Sequence, residues 1–420
     1  MKASTTASAP IYRILLLILA GESIFILPFV LARIFRPTFL DVFNLDNTQL
    51  GVCFSVCGTV SLFSYLYGGA IADKFLPRKL IATALWFTAL GGLVMATFPS
   101  YGTLKILFGY WGFTTIFLFW GAMIKATRTW GGANHQGKAF GFLEGGRGFV
   151  AASIGAIGVF IFAKFLPVNI EAASIEDKQA AFREVILFVS GLVAVVGVLV
   201  FLFLKSDTEV EDASQRIESP LKNIKTVLQY RSVWLLMIIV LCGYVGYKLT
   251  DIFSLYASEV MSFTQVEAAQ VGTFQLYLRP VVCIAVGIFA DRTKSSSWII
   301  LGFITMLIGA LLFASGVVTS GLNLVFFLSL VVTATGTYAV RTLYFAALQE
   351  GKVPLAITGA AVGAISVVGY TPDIFIGPIM GYFLDGYPGI LGHQIVFAML
   401  AVFSVIGLIT AIGFRRFNKS

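Results

Sequence analysis

The sequence predicts an all-α membrane protein with twelve transmembrane helices in two pseudo-symmetric six-helix bundles, and three observations carry that prediction. First, 58% of the 420 residues are hydrophobic and only 12% are charged, too few solvating side chains to cover a soluble surface of this size. A mean hydropathy of +0.90 agrees. Second, the apolar runs have the length of membrane spans, since about 20 apolar residues cross the hydrocarbon core and the chain holds roughly a dozen such runs. Third, landmarks in the first half recur in the second at one fixed separation.

The spans are expected at 11–32, 48–71, 80–98, 103–126, 139–165, 184–204, 232–256, 266–289, 297–317, 321–345, 356–384 and 393–414. The first begins after a polar segment, MKASTTASAP, and is followed by no small-residue cleavage site, so it is expected as a retained helix. The longest polar stretch, Lys205 to Arg231, is rich in Asp, Glu, Ser and Lys. It divides the chain into a first bundle (1–204), a cytoplasmic linker (205–231) and a second bundle (232–420).

A net charge of +8 raises the question of nucleic acid, but the placement of the basic residues points to a membrane surface instead. Eighteen Lys and Arg fall on the side of the N-terminus, six on the other side, and five inside or at the edge of spans, which accounts for all 29. This positive-inside bias places both termini in the cytoplasm of a bacterial inner membrane. Spans three, six, nine and twelve have no charge in their interiors and are expected at the lipid-facing periphery. Cys53, Cys57, Cys242 and Cys283 lie in apolar runs and lack the further ligands of a metal site.

The repeat shows in Gly69-Ala-Ile-Ala-Asp73-Lys74 after span two and Gly287-Ile-Phe-Ala-Asp291-Arg292 after span eight, a shift of 291 − 73 = 218. The same shift carries Gly141 and Gly145 onto Gly359 and Gly363. These Gly-x-x-x-Gly pairs are expected to be close-packing faces, and no strand–turn–helix context or Walker motif suggests nucleotide binding. The Gly-x-x-x-Asp-Lys/Arg element in both halves resembles the major facilitator superfamily over essentially the whole chain. Neither copy has that family's following glycine, and the first has its basic pair, Arg78-Lys79, one place late.

Further segments, His135-Gln136-Gly137-Lys138-Ala139-Phe140-Gly141-Phe142, Glu144-Gly145-Gly146-Arg147-Gly148 and Gly369-Tyr370-Thr371-Pro372, resemble the YihN-type branch of bacterial permeases and, more distantly, the organophosphate:phosphate antiporter group. The resemblance implies a secondary transporter with an inner gate. For Asp73, Lys74, Arg128, Glu144, Arg147, Asp291 and Arg292, at the cytoplasmic ends of their spans, it implies a gating charge network rather than a substrate site.

Charges deep in the spans are the candidates for chemistry, because each is costly in hydrocarbon and has to be paired or functional. Glu22 lies about eleven residues into span one, near the midplane, as an isolated carboxylate that can carry a proton or bind a substrate ammonium. Arg279 and Arg341 cannot deprotonate, and their planar forks suit a carboxylate or phosphate. Lys248 and Asp251, three apart, can neutralise each other, while Tyr244, Tyr247 and Tyr256 add hydroxyls or simple aromatic packing. Asp373, in a Gly/Pro-interrupted span, can couple protons, latch the outer gate, or bridge to Lys248. His135 and His393 fall in expected loops.

Three deep cations (Lys248, Arg279, Arg341) thus face three deep anions (Glu22, Asp251, Asp373), without an excess of either sign. The expected protein is no enzyme. It is a monomeric secondary active transporter in the lipid bilayer, moving a small organic anion or zwitterion by alternating access, with protons as the coupling ion. Glu22, Tyr244, Tyr247, Lys248, Arg279 and Arg341 are its substrate contacts; Glu22 and Asp373 are its proton carriers. No cofactor, metal or nucleic acid is expected. The rival readings are an exporter of amphipathic compounds and a transporter-like solute sensor, the latter calling for a long regulatory extension that the sequence does not show.

Overall fold

The computed structural model describes residues 10–131, 136–167, 173–204, 224–353 and 358–418, and no strand occurs among them. Twelve long helices follow one another: α1 (Ile11–Ile34), α2 (Asn47–Lys74), α3 (Pro77–Met95), α4 (Tyr101–Gly131), α5 (Gln136–Phe165), α6 (Ile175–Phe203), α7 (Arg231–Glu259), α8 (Gln265–Asp291), α9 (Ser295–Ala314), α10 (Asn323–Leu343), α11, in two pieces (Thr358–Gly369 and Pro372–Gly386), and α12 (Ile390–Phe417). Eleven of them are long and apolar enough to span a membrane. The other, α2, has 28 residues, about 42 Å at 1.5 Å per residue, and bears no charge from Leu50 to Ala72. Residues 205–223, most of the expected linker, and His135 lie outside the described residues.

Local sequence explains the helix starts. Capping boxes open α2 (Asp46 with Gln49), α6 (Ser174 with Asp177) and α8 (Thr264 with Glu267), satisfying backbone N–H groups that the first turn leaves open. The boxes of α2 and α8 are themselves 264 − 46 = 218 residues apart, the interval of the sequence repeat. The box on α6 also explains why that helix starts at Ile175 rather than near 184. Its first turns, IEDKQAAFRE, are too polar for an apolar run but continue the same helix.

Buried apolar side chains form two clusters, one from Ile14 to Leu204 with Ala269 and Leu276 added, the other from Val227 to Phe414. In the first, α3 packs on α6; in the second, α9 packs on α12. The large hydrophobic side chains these four helices leave exposed, among them Leu90, Leu93, Val195, Leu202, Ile308, Leu311, Val402 and Ile409, form the surface lipid covers.

The bundles meet along α2 with α11 and along α5 with α8. We call the face where α1 begins and α12 ends the terminal face. Contact between the bundles is concentrated toward the opposite face. A Cβ on Gly51 would lie 2.3 Å from the backbone of Gly377, and one on Gly381 would lie 2.4 Å from Thr48 Cα, so α2 and α11 touch backbone to backbone there. Asp385 at the end of α11 accepts four hydrogen bonds from the start of α2: Asn47 N (3.0 Å), Asn47 Nδ2 (3.1 Å), Thr48 N (2.7 Å) and Thr48 Oγ1 (2.6 Å).

Toward the terminal face the bundles part. The first piece of α11 packs on α7 and on the short helix Ile224–Val227 of its own bundle, and Cβ atoms on Gly141, Gly287 or Gly363 would meet nothing within 4 Å. Gly145 would meet only Ile284, at 3.9 Å. The expectation that Gly141, Gly145 and Gly363 make close-packed faces is therefore corrected: a side chain at Gly141 or Gly363 would meet open space. Gly359 lies outside the residues whose surroundings are described.

Candidate substrate-binding site

Two buried charge clusters lie where the cleft ends. The first joins three helices of the two bundles. Glu22 of α1 accepts from Arg147 Nε of α5 at 3.1 Å and lies 3.8 Å from Arg279 Nη1 of α8. Glu144, one turn before Arg147, bridges the same two arginines: its Oε1 is 2.7 Å from Arg147 Nη1 and its Oε2 is 3.1 Å from Arg279 Nη2.

The second cluster lies nearer the opposite face. Arg33 of α1 donates to Asp251 of α7 at 2.5 Å and to the Tyr247 hydroxyl at 2.9 Å. Lys248 stands 3.5 Å from Asp251 and 3.2 Å from Asp373 of α11, which also accepts from the Tyr244 hydroxyl. Phe29 and Phe54 of the first bundle cover the Lys248 ammonium.

Between the clusters stands Arg341 of α10. Its guanidinium lies 3.6 Å from the centroid of the Tyr247 ring, and its Nη1 is buried with no hydrogen-bond partner among the described residues. No carboxylate among those residues forms an ion pair with it. Tyrosines surround this part of the cleft: Tyr244 packs on Tyr370 at 4.7 Å, Tyr370 meets the Tyr344 hydroxyl at 3.2 Å, and Tyr65 of the first bundle stacks on Tyr370 at 6.4 Å.

Several sequence expectations change. Glu22 is not isolated, because two arginines hold it, and Arg279 is not an open fork, because Glu22 and Glu144 occupy it. Glu144 and Arg147 do not lie at the terminal end of their span. With 30 residues, α5 runs about 45 Å, so positions one third of the way along it are already inside the hydrocarbon.

Arg33, counted by sequence among the charges outside the membrane, is 2% exposed and part of the site. The balance changes with it: five cations (Arg33, Arg147, Lys248, Arg279, Arg341) against four anions (Glu22, Glu144, Asp251, Asp373) leave +1.

Tyr256 lies outside the site, donating to the Val318 carbonyl, and His393 lies not in a loop but on α12, fully buried and 2.9 Å from Glu259. The bridge from Asp373 to Lys248 is present. The side chains of Asp73, Lys74, Arg128 and Asp291 lie outside the described residues, and Arg292 is exposed at the end of α8. The cysteines are unpaired thiols, and no cluster of metal-ligating side chains occurs among the described residues.

A two-bundle helical frame with its charges at the centre of the cleft is the arrangement of a carrier, and comparison with known families decides which kind. The profile of the Major Facilitator Superfamily matches residues 14–374. The chain belongs to the Major Facilitator Superfamily. As a member it is a membrane solute transporter. It is 26% identical over 400 residues to the inner membrane protein YqcE of Escherichia coli K12, covering 93% of this chain and 90% of that one. It is also 25% identical over 404 residues to the inner membrane protein YihN of the same organism, covering 94% and 93%.

Among solved structures of this superfamily fold, a bacterial homologue of the human lysosomal transporter Spinster, described as inward-facing and unoccupied, superposes with a TM-score of 0.73 at 15% identity, covering 96% of each chain. The nucleoside transporter NupG superposes with a TM-score of 0.70 at 14% identity, covering 98% of this chain and 100% of that one.

Proposed function

We propose that this transporter carries a small organic anion, or a zwitterion through its anionic group, and that Arg341 anchors that group. The observation that carries this reading is the unmatched guanidinium. Every other cation of the site has a carboxylate within 4 Å, whereas Arg341 has an aromatic face beneath it and a buried N–H with no protein acceptor among the described residues. A permanent charge with a buried, unpartnered N–H calls for a counter-anion, and a planar fork suits a carboxylate, sulfonate or phosphate. The surrounding tyrosines offer hydroxyls and ring faces to the rest of the cargo.

The proposal includes a cytoplasmic location for both termini, supported by the 18-to-6 distribution of basic residues. The cleft then opens to the cytoplasm. It also includes a proton as coupling ion, for which Glu22, Asp373 and Glu144 are the carboxylates within the site. One chain supplies both bundles and every residue of the site, so a monomer suffices.

A thermal-shift screen of the purified protein against organic anions, amino acids and sugar phosphates tests the reading. Anions of one class are expected to stabilise the wild type. Arg341→Lys, which keeps the charge and loses the fork, is expected to weaken that ligand by about tenfold or more. Unchanged affinity in that variant would remove Arg341 as the anchor.

A further inference from the structure

We infer that Glu144 is a built-in stand-in for the substrate anion: it holds the arginine forks of the empty carrier, and takes up the coupling proton when the arriving anion displaces it. The inference rests on the anion-carrier reading above and adds to it the residue and the order of events.

Four observations support it. The two oxygens of Glu144 hold two different arginines, Arg147 and Arg279, from opposite bundles, at 2.7 and 3.1 Å. This is the pose expected of a bound organic carboxylate. Second, the Glu144 side chain is 42% exposed, against 4% for Glu22, 6% for Arg147 and 2% for Arg279. Of the four it alone can leave without opening the core. Third, Glu22 contacts both arginines from behind, so their forks keep their positions when Glu144 departs. One carboxylate is fixed and dry, the other removable and wet.

The fourth observation is the charge count. Arg147, Arg279 and Arg341 against Glu22 and Glu144 give +1. A monoanion alone lowers this to zero and leaves the Glu144 carboxylate released beside a second negative charge. A proton from the water of the cleft, added to a Glu144 oxygen, restores +1, so anion and proton loaded together leave the site at its resting charge.

No other charged group among the described residues competes for the role. The charges facing Glu144 are Glu22 from α1, Arg147 from its own helix, Arg279 from α8 and, across the cleft, Arg341 from α10. On the remaining helices packed against α5, Lys125 of α4 donates to the Ala72 carbonyl, and Arg183 of α6 donates to the Ala96 carbonyl near the opposite face. Asp373 is bonded to Lys248 and Tyr244 and does not touch these arginines.

The test uses methanesulfonate and sulfate, neither of which titrates between mildly acidic and neutral pH, added to purified full-length protein. Affinity is read by thermal shift, and proton uptake by a pH dye in weak buffer. In the wild type, methanesulfonate affinity is expected to fall by about tenfold per pH unit on the alkaline side, with one proton taken up for each anion bound.

Glu144→Gln leaves the forks without a competitor and is expected to bind both anions about tenfold or more tighter at neutral pH, with no pH slope and no proton uptake. Glu144→Asp keeps the carboxylate and is expected to restore both. Wild-type pH slope and uptake surviving in Glu144→Gln would overturn the inference. So would wild-type binding that depends on Arg341 but takes up no proton, a result that needs no Glu144 variant. If neither anion binds the wild type, the anion-carrier reading beneath the inference is overturned with it.

Discussion

Removing Asp251 alone leaves Arg33, 2% exposed, with only the Tyr247 hydroxyl among the described residues, and leaves Lys248, also 2% exposed, with Asp373. A buried charge stripped of its partner costs about 3–5 kcal/mol, far more than the net value of most intact pairs. Asp251→Asn is therefore expected to lower the thermal midpoint in detergent sharply. Adding Arg33→Leu to it restores the balance, since Lys248 keeps Asp373, and a double-mutant cycle followed by thermal unfolding should recover a large part of the loss. An additive double mutant would mean the two do not act as a pair. The same residues explain why the site is only partly legible in the sequence. Which charges are deep can be estimated from apolar runs, and Glu22, Lys248, Asp251, Arg279, Arg341 and Asp373 emerge that way. Which charges meet depends on the neighbouring helix, and no spacing within one run encodes the approach of Glu144 to Arg279 over 135 residues. One signal does exist for the residue that sequence reasoning missed: Arg33 and Asp251 are 218 residues apart, the interval of the repeat, so equivalent positions of the two bundles carry opposite charges and meet.

At the level of helices, the twelve runs follow from apolar run length, and polar first turns such as those of α6 are where the boundaries moved. What the runs could not give is how α2 meets α11. There Asp385 acts as an N-cap supplied by another helix: four donors at the start of α2 converge on a carboxylate of the second bundle, where the helix dipole favours negative charge. That contact exists only while the opposite face is closed. Asp385→Asn is expected to weaken closure by about 1–2 kcal/mol, a roughly fivefold to thirtyfold shift in the population of the two states. Spin labels on Ser100 and Ser320, exposed in turns of the two bundles on that face and introduced as cysteines in a cysteine-free background, would report it as a longer distance between labels. An unchanged distance distribution would mean that the backbone contact at Gly51 and Gly377 closes the face without the cap.

For the molecule as a whole, orientation sets the direction in which the cleft opens. A cysteine placed at Ser420 is expected to resist an impermeant thiol reagent in intact cells and to react after lysis; labelling in intact cells would invert the assignment. With the terminal face inward, the unmatched Arg341 acquires an electrical meaning. The cleft connects the site to the potential of whichever side it faces, so reorienting a site of charge +1 moves that charge across the membrane voltage, about 2.3 kcal/mol per 100 mV. An interior-negative voltage therefore holds the resting carrier facing the cytoplasm. If anion and proton load together, the full carrier bears the same charge as the empty one, and the energy gained on one crossing is returned on the other. Net transport is then electroneutral, while each half of the cycle is voltage-sensitive and should produce transient currents with no steady current.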